Sequence, residues 1–280
     1  MAEKGFRDGL QAFGYKTEFS TFDVAQDLAK LGNTLNYIAS QSDAFDYIYT
    51  FGTTISRRTQ IVIDNKIPQL FNVVTDPVGA GIIESKGEWI GNISGASDAV
   101  PISSLVEITL ELFGFQKLGV FFNPREKNSM LSRKEIYTSA KIHGFEVVDF
   151  RSPPVAQILQ QNLQMLTENP TMVDAVYLPS DSFLVSNATL IGSHLQSSKI
   201  LSFCSVRNYI ENGVLMGFVV DYYDLGKAVA AIVDRNQRGE ELQQIPVAEA
   251  DFVLMINQTT SDLLGVKIPE FETIKTLTIP

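Results

Sequence analysis

Residues 146–203 read EVVDFRSPPVAQILQQNLQMLTENPTMVDAVYLPSDSFLVSNATLIGSHLQSSKILSF, and their pattern decides the fold. Short apolar runs at Glu146–Phe150, Ala175–Leu178 and Ile200–Phe203 alternate with two stretches of helical period. In the first stretch Val155, Ile158, Leu159, Leu163 and Leu166 recur at i, i+3, i+4, i+8 and i+11; Leu184, Ala188, Ile191 and Leu195 follow the same rule in the second. Asn169-Pro170 stops the first helix, and Ser197-Ser198 precedes the last strand. Apolar runs this continuous suit strands covered on both faces. Successive βα units predict an α/β protein with a mainly parallel, doubly wound sheet and right-handed crossovers.

Working outward, the same reading gives further strands at Thr17–Phe22, Tyr47–Thr50, Gln69–Val74 and Leu118–Phe122. The stretch Gly91-Asn92-Ile93-Ser94-Gly95-Ala96-Ser97 is rich in turn formers and separates two series of βα units near residues 91–101. Composition shifts again near Gly213–Asp221 and near Gln243–Ala250. Three crossings between two lobes would make each lobe discontinuous.

Composition narrows the function. The 280 residues are 45% hydrophobic, enough for more than one lobe of ordinary size, and carry a net charge of −10. The densest positive run is Arg57–Arg58, so no basic stripe marks a nucleic-acid surface, and nucleic acid is not an expected partner. A single cysteine, Cys204, rules out an internal disulfide, a CxxC motif and a multi-Cys zinc site, and its apolar neighbours predict a small buried hydrophobe. No run reaches the roughly 18 apolar residues of a membrane span. Met1-Ala2-Glu3-Lys4-Gly5 has no apolar signal region.

Catalytic equipment is sparse. Gly91-Asn92-Ile93-Ser94-Gly95 has the wrong spacing for a nucleophile elbow, and Gly226-Lys227 lacks the other residues of a P-loop. Gly79-Ala80-Gly81 begins like a dinucleotide fingerprint but meets Glu84 where the last glycine belongs, so it reads as a turn. His143 and His194 fall near helix C-termini, where a histidine complements the dipole, and they form no metal set. No catalytic residue, metal or cofactor is expected. A hydrolase or isomerase relying on carboxylates such as Asp76 or Asp181 is the disfavoured reading.

In open parallel sheets, ligands meet the loops beyond the carboxyl ends of the strands, beside helix N-termini. Those loops are Phe51-Gly52-Thr53-Thr54, Val74-Thr75-Asp76-Pro77, residues 123–129, Pro179-Ser180-Asp181-Ser182 and Cys204-Ser205. Their hydroxyl, amide and carboxylate groups suit a small polar ligand. The same residue types are also the preferred helix N-caps, and the sequence leaves both roles open.

Several segments, in order, resemble the ABC transporter substrate-binding family whose members include tryptophan- and tyrosine-binding lipoproteins. They are Gly5-Phe6-Arg7-Asp8-Gly9-Leu10 with Gly14-Tyr15, Phe51-Gly52-Thr53, Ile67-Pro68, Val74-Thr75-Asp76-Pro77-Val78 and Gly91-Asn92-Ile93-Ser94-Gly95. Leu118-Gly119-Val120, Asn123-Pro124, Asn128-Ser129, Asp221-Tyr222-Tyr223-Asp224-Leu225-Gly226, Ile256-Asn257, Leu264-Gly265 and Ile268-Pro269 continue the series.

The resemblance implies a type I periplasmic-binding-protein fold: two Rossmann-like lobes with parallel sheets, joined by hinge strands and closing on ligand. One lobe would combine residues 1–97 and 218–247, the other 98–217 and 248–280. Carried over by position, the ligand-binding candidates are Thr53, Thr54, Asp76, Asn128, Ser129, Ser180, Asp181 and Asp221. Asp221 stands either to meet a ligand amine or to cap the helix that follows; Tyr222 and Tyr223 stand either to stack on an aromatic ligand or to lie buried in a hinge. The implied function is the solute-binding component of an ABC uptake transporter. Its partners would be a small-molecule ligand, first an amino acid, and a membrane permease. The protein would be a monomer, periplasmic or membrane-anchored outside the cell, given a signal segment outside this chain.

The alternative is a ligand-sensing domain of the same fold in a regulator or receptor, which would add a DNA-binding or membrane segment. The family places a strand before the Gly-Phe helix, whereas this chain opens directly on that helix. Alternation in Lys275-Thr276-Leu277-Thr278-Ile279 nominates that segment to fill the first lobe's sheet.

Overall fold

In the computed structural model, which describes residues 1–24, 27–84, 91–249 and 251–280, the chain passes three times between two units. Unit 1 comprises Met1–Ala99 and Asp221–Asp251; unit 2 comprises Val100–Val220 and Phe252–Pro280. The crossings thus follow residues 99, 220 and 251, against 97, 217 and 247 from the sequence.

Unit 1 contains α1 (Ala2–Ala12), α2 (Leu28–Ser40), β1 (Ile48–Phe51), α3 (Thr53–Ile63), β2 (Gln69–Asn72) and β3 (Ile93–Ser97), then α10 (Tyr222–Gln237) and β9 (Ala248–Glu249) from the returning chain. Its sheet runs β1-β2-β3-β9, and every pairing is parallel. Phe71, Val74, Ile82 and Ile93 form a core against it, all at most 1% exposed. Helices α1 and α10 pack closely because small residues line the seam. A Cβ built on Gly226 would stand 2.1 Å from the Ala2 carbonyl oxygen, so only glycine allows this approach.

The segment 91–97, whose Gly, Asn and Ser content suggests a turn, is largely a strand. All five residues of β3 are buried. The small side chains serve close packing: a Cβ on Gly95 would lie 2.1 Å from the Phe71 carbonyl oxygen. Composition misleads here because Gly in a strand also marks close backbone approach.

Two further expectations for this unit fail. Thr17–Phe22 forms no strand; it is held by side chains, with the Arg7 guanidinium 3.8 Å from the Phe19 ring centre and Phe6 edge-on to Phe19. Its alternating pattern finds no ladder partner among the described residues, and a strand pattern without a partner does not make a strand. The C-terminal segment does not fill the gap, because it pairs in unit 2.

Unit 2 contains α4 (Ile102–Phe113), β4 (Lys117–Phe122), α5 (Lys127–His143), β5 (Glu146–Arg151), α6 (Ala156–Glu168), β6 (Ala175–Leu178) and α7 (Ser182–Ser186). It continues through α8 (Ala188–Ser197), β7 (Leu201–Cys204), α9 (Arg207–Glu211), β8 (Met216–Val220), β10 (Phe252–Asn257), α11 (Gln258–Leu264) and β11 (Thr276–Ile279). The seven-stranded sheet has the order β11-β10-β8-β7-β6-β4-β5. It is parallel throughout except where β10 runs antiparallel to β8. Strand β11 pairs in parallel with β10, from Leu254 opposite Thr276 to Asn257 opposite Ile279. Its natural edge is the one left open by the strand preceding it in the same unit.

The sequence periodicity locates the core of unit 2. Leu159, Leu163 and Leu166 of α6 are at most 1% exposed, as are Leu184, Ile191 and Leu195. The second stretch is not one helix, however. The chain breaks at Asn187, whose amide donates to the Phe183 carbonyl oxygen at 2.8 Å, and α8 restarts there. Phe121 of β4 stacks on Phe150 of β5 with ring centres 4.9 Å apart. Cys204 is fully buried, and burial pushes its thiol up to about 12, so it packs as a small hydrophobe.

Candidate functional site

Each unit gathers polar groups at the carboxyl ends of its parallel strands. In unit 1 these follow β1, β2 and β3 and precede α10. Gly52 at φ 85° turns the chain from β1 into α3, placing half-buried Thr53 and exposed Thr54 in the first turn. Asp76 is half-buried and closes its own turn: Oδ1 accepts from the Gly79 N–H at 2.6 Å. Asp221 is exposed and caps α10, accepting from the Tyr223 N–H at 2.8 Å. Tyr223 hydrogen-bonds Asp8 on α1 at 2.9 Å.

The most enclosed charge in this set was not among the candidates. Asp98, at the end of β3, is only 7% exposed. Its Oδ1 accepts from the Thr75 hydroxyl at 2.9 Å and its Oδ2 from the Tyr222 hydroxyl at 3.2 Å. Burial pushes its carboxyl above the ordinary range, and the two hydroxyls pull it partly back. Tyr222 also meets Phe51 edge-on, ring centres 6.2 Å apart. Just before Thr75, Val73 has φ 56°, a left-handed conformation that costs a β-branched residue on the order of 1–3 kcal/mol. Asn72 holds it there, accepting from the Val73 N–H at 2.8 Å. The signal that could have found Asp98 was a carboxylate directly after the buried run of β3; turn-former composition hid that strand.

In unit 2 the corresponding groups follow the neighbouring strands β4 and β6. Ser129 is fully buried and structural, its Oγ accepting from the Asn123 N–H at 2.8 Å, which ties the loop after β4 to α5. Asn128 and Ser180 are half-buried. Asp181 is 1% exposed and caps α7, Oδ1 accepting from the Leu184 N–H at 2.8 Å. Glu126, absent from the sequence candidates, reaches the same helix start and accepts from the Ser182 N–H at 3.0 Å through both carboxyl oxygens.

Glu126 and Asp181 meet at the start of α7, one on the Ser182 N–H and the other on the Leu184 N–H. Asp181 Oδ2 is buried and has no hydrogen-bond partner. A proton on Glu126 would supply a donor for it. Burial first, and then the Asp181 charge, push Glu126 up to about 7; burial also raises Asp181. Two desolvated carboxylates placed together favour holding one proton between them.

The structure therefore brings Asp76, Thr53, Thr54 and Asp221 to the strand ends of unit 1, and Asn128, Ser129, Ser180 and Asp181 to those of unit 2. Among the described residues no group of three His, Cys, Asp or Glu side chains is placed to hold a metal. A cavity of about 330 Å³ lined by Phe115, Lys117 and Asp174 lies at the amino end of β4. That is the opposite end of the sheet from the expected ligand crevice.

The profile of the ABC transporter substrate binding protein family matches residues 1–276. This chain belongs to that family. A tyrosine-binding protein of Clostridioides difficile (strain R20291) is 28% identical over 278 residues, covering 98% of this chain and 79% of that protein. Among solved structures, an ABC domain in complex with L-Trp from Streptococcus pneumonia superimposes with a TM-score of 0.83 at 25% identity, covering 96% of this chain and 91% of that one. A ligand-free, open structure of a substrate binding protein with adhesive properties from Clostridium difficile gives a TM-score of 0.76 at 24% identity, covering all of this chain and 94% of that one. The fold is the type I periplasmic-binding-protein class, with two sets of mainly parallel sheet. Substrate-binding family members are non-enzymatic components that serve a membrane permease outside the cytoplasm. Among the described residues no helix is long and apolar enough to cross a membrane.

Proposed function

We propose that this member of the substrate-binding family binds an amino acid with an aromatic side chain, acts as a monomer and performs no catalysis. The observation that carries the reading is whole-chain membership of the family, together with relatives named for tyrosine binding and for a complex with L-Trp. The residues proposed to contact ligand are Thr53, Thr54, Asp76 and Asp221 of unit 1 and Asn128, Ser129, Ser180 and Asp181 of unit 2. Several of these also hold their own loops: Ser129, Asp181, Asp76 and Asp221 already accept backbone N–H groups. Such bonds fix the loops in place before ligand arrives, which lowers the ordering cost of binding.

A thermal-shift screen against amino acids, sugars and nucleosides tests the proposal. A ligand present at about 100 times its dissociation constant stabilises the native state by about 2.7 kcal/mol. Tyrosine or tryptophan should give the largest shift. A shift confined to sugars or nucleosides would replace the amino-acid reading.

A further inference from the structure

We infer that Asp98 is the counter-charge for the ligand's ammonium group, with Phe51 and Tyr222 beside it as the seat for the aromatic ring. The inference rests on the amino-acid reading above and deepens it by assigning the subsite.

Asp98 is a carboxylate taken almost entirely out of water. Among the described residues, no Lys, Arg or His stands within ion-pair distance of it. Its side-chain partners are two neutral hydroxyls. A buried charge is normally paired, and one stabilised only by neutral donors is left short of compensation. Two hydroxyl bonds use only part of its capacity, because an ionised carboxylate has about four acceptor positions. A primary ammonium supplies both missing elements, a positive charge and further N–H donors.

The surroundings match the rest of such a ligand. Tyr222 binds Asp98 through its hydroxyl and turns its ring edge toward Phe51. Phe51, at the very end of β1, keeps 47% of its surface exposed and stands edge-on to the tyrosine that binds the buried carboxylate. An aryl group packing there would gain aromatic contact in the offset or edge-on geometry such rings prefer. Thr75, the second hydroxyl on Asp98, follows the left-handed Val73, so the backbone pays conformational energy to hold that loop. Strain of this kind concentrates at ligand sites. Asp221, the other carboxylate at this end of unit 1, is exposed and occupied in capping α10. It offers an ammonium far less gain, since an exposed ion pair is worth little.

The test is calorimetric titration of the wild-type chain and of Asp98→Asn with L-tryptophan, tryptamine and indole-3-propionate. Tryptamine keeps the ammonium and lacks the carboxylate; indole-3-propionate does the reverse. Wild type should bind tryptophan about 100-fold more tightly than indole-3-propionate, and Asp98→Asn should lose about 100-fold for tryptophan and tryptamine while leaving indole-3-propionate nearly unchanged. Phe51→Ala should weaken all three ligands by a similar factor. Tyr222→Phe, which keeps the ring, serves where Asp98→Asn does not fold; it should still prefer tryptophan over indole-3-propionate. Equal losses for all three ligands in a folded Asp98→Asn chain would make Asp98 structural and overturn the inference. So would an unchanged preference for the ammonium-bearing ligands. Failure of the wild type to bind any aromatic amino acid would instead remove the amino-acid reading itself, and this subsite with it.

Discussion

The two units solve the same problem in different ways. Each buries a carboxylate at the carboxyl end of a parallel sheet, Asp98 in unit 1 and Asp181 in unit 2, and each raises its pKa by burial. Unit 1 compensates with two hydroxyls, from Thr75 and Tyr222, and keeps an aromatic face nearby. Unit 2 compensates with a helix start and sets beside it a second carboxylate whose pKa burial pushes up to about 7. The first solution leaves the carboxylate with neutral donors only, which is the ground for the ammonium subsite inferred above. The second favours neutralising part of its own charge within the fold. Comparable burial therefore does not imply an equal role: what differs is the kind of compensation the fold supplies, two neutral hydroxyls in one unit and a helix start beside a second carboxylate in the other.

The comparison breaks most severely if the support under Asp98 is removed. Gly95→Val should cost about 3 kcal/mol in urea unfolding, because its Cβ would meet the Phe71 carbonyl oxygen at 2.1 Å. A loss below 1 kcal/mol would show that β3 shifts freely, and Asp98 would then not be fixed in place.

The next effect concerns the shared proton. Glu126 has a folded-state pKa raised to about 7 from an ordinary 4.5. Protonation is favoured in the folded state, so the stability this group contributes is complete below pH 4.5 and is lost as pH rises through 7. Glu126→Gln keeps a donor for Asp181 and an acceptor for the Ser182 N–H without a titrating proton. The variant should gain about 1–2 kcal/mol over wild type at pH 8 relative to pH 5, read from denaturation midpoints at both pH values. A difference that is the same at the two pH values would rule out the shared proton.

A smaller change sharpens the contrast from the side of unit 1. Tyr222→Phe removes one neutral donor from Asp98 and should cost about 1 kcal/mol of stability. No measurable cost would mean that water replaces the hydroxyl and that Asp98 is less enclosed than it stands here. The smallest effect is expected far from either carboxylate. Lys4 pairs with Asp8 at 2.5 Å at the surface, and Lys4→Ala should leave the urea midpoint unchanged within error. A larger loss would show that surface pairs carry stability that the buried groups were credited with.

Much of this was legible in the residues themselves. The helical period of 155–166 identified the buried face of α6, and Ala175–Leu178 coincides with β6. Strand-end loops were located by their place after apolar runs, and every ligand candidate lies in such a loop or at the helix start that follows it. Thr17–Phe22 was misread because alternation describes how a segment would pair, while pairing requires a neighbour. The strand at 93–97 was missed for the opposite reason: its small residues are selected by close packing on Phe71, which no local pattern reports.

What the sequence alone determined was the class of fold, the family, and the strand-end loops in which a ligand is expected. Those follow from periodicity and from ordered motifs, which are properties of short segments. Only the tertiary structure decided which carboxylates are costly. Asp221 and Asp98 look alike in the sequence, as polar residues at strand ends. One is exposed and caps a helix; the other is enclosed between hydroxyls contributed by residues 75 and 222. Burial and charge compensation depend on neighbours distant in the chain, so the energetics of the site appear only once the chain has folded.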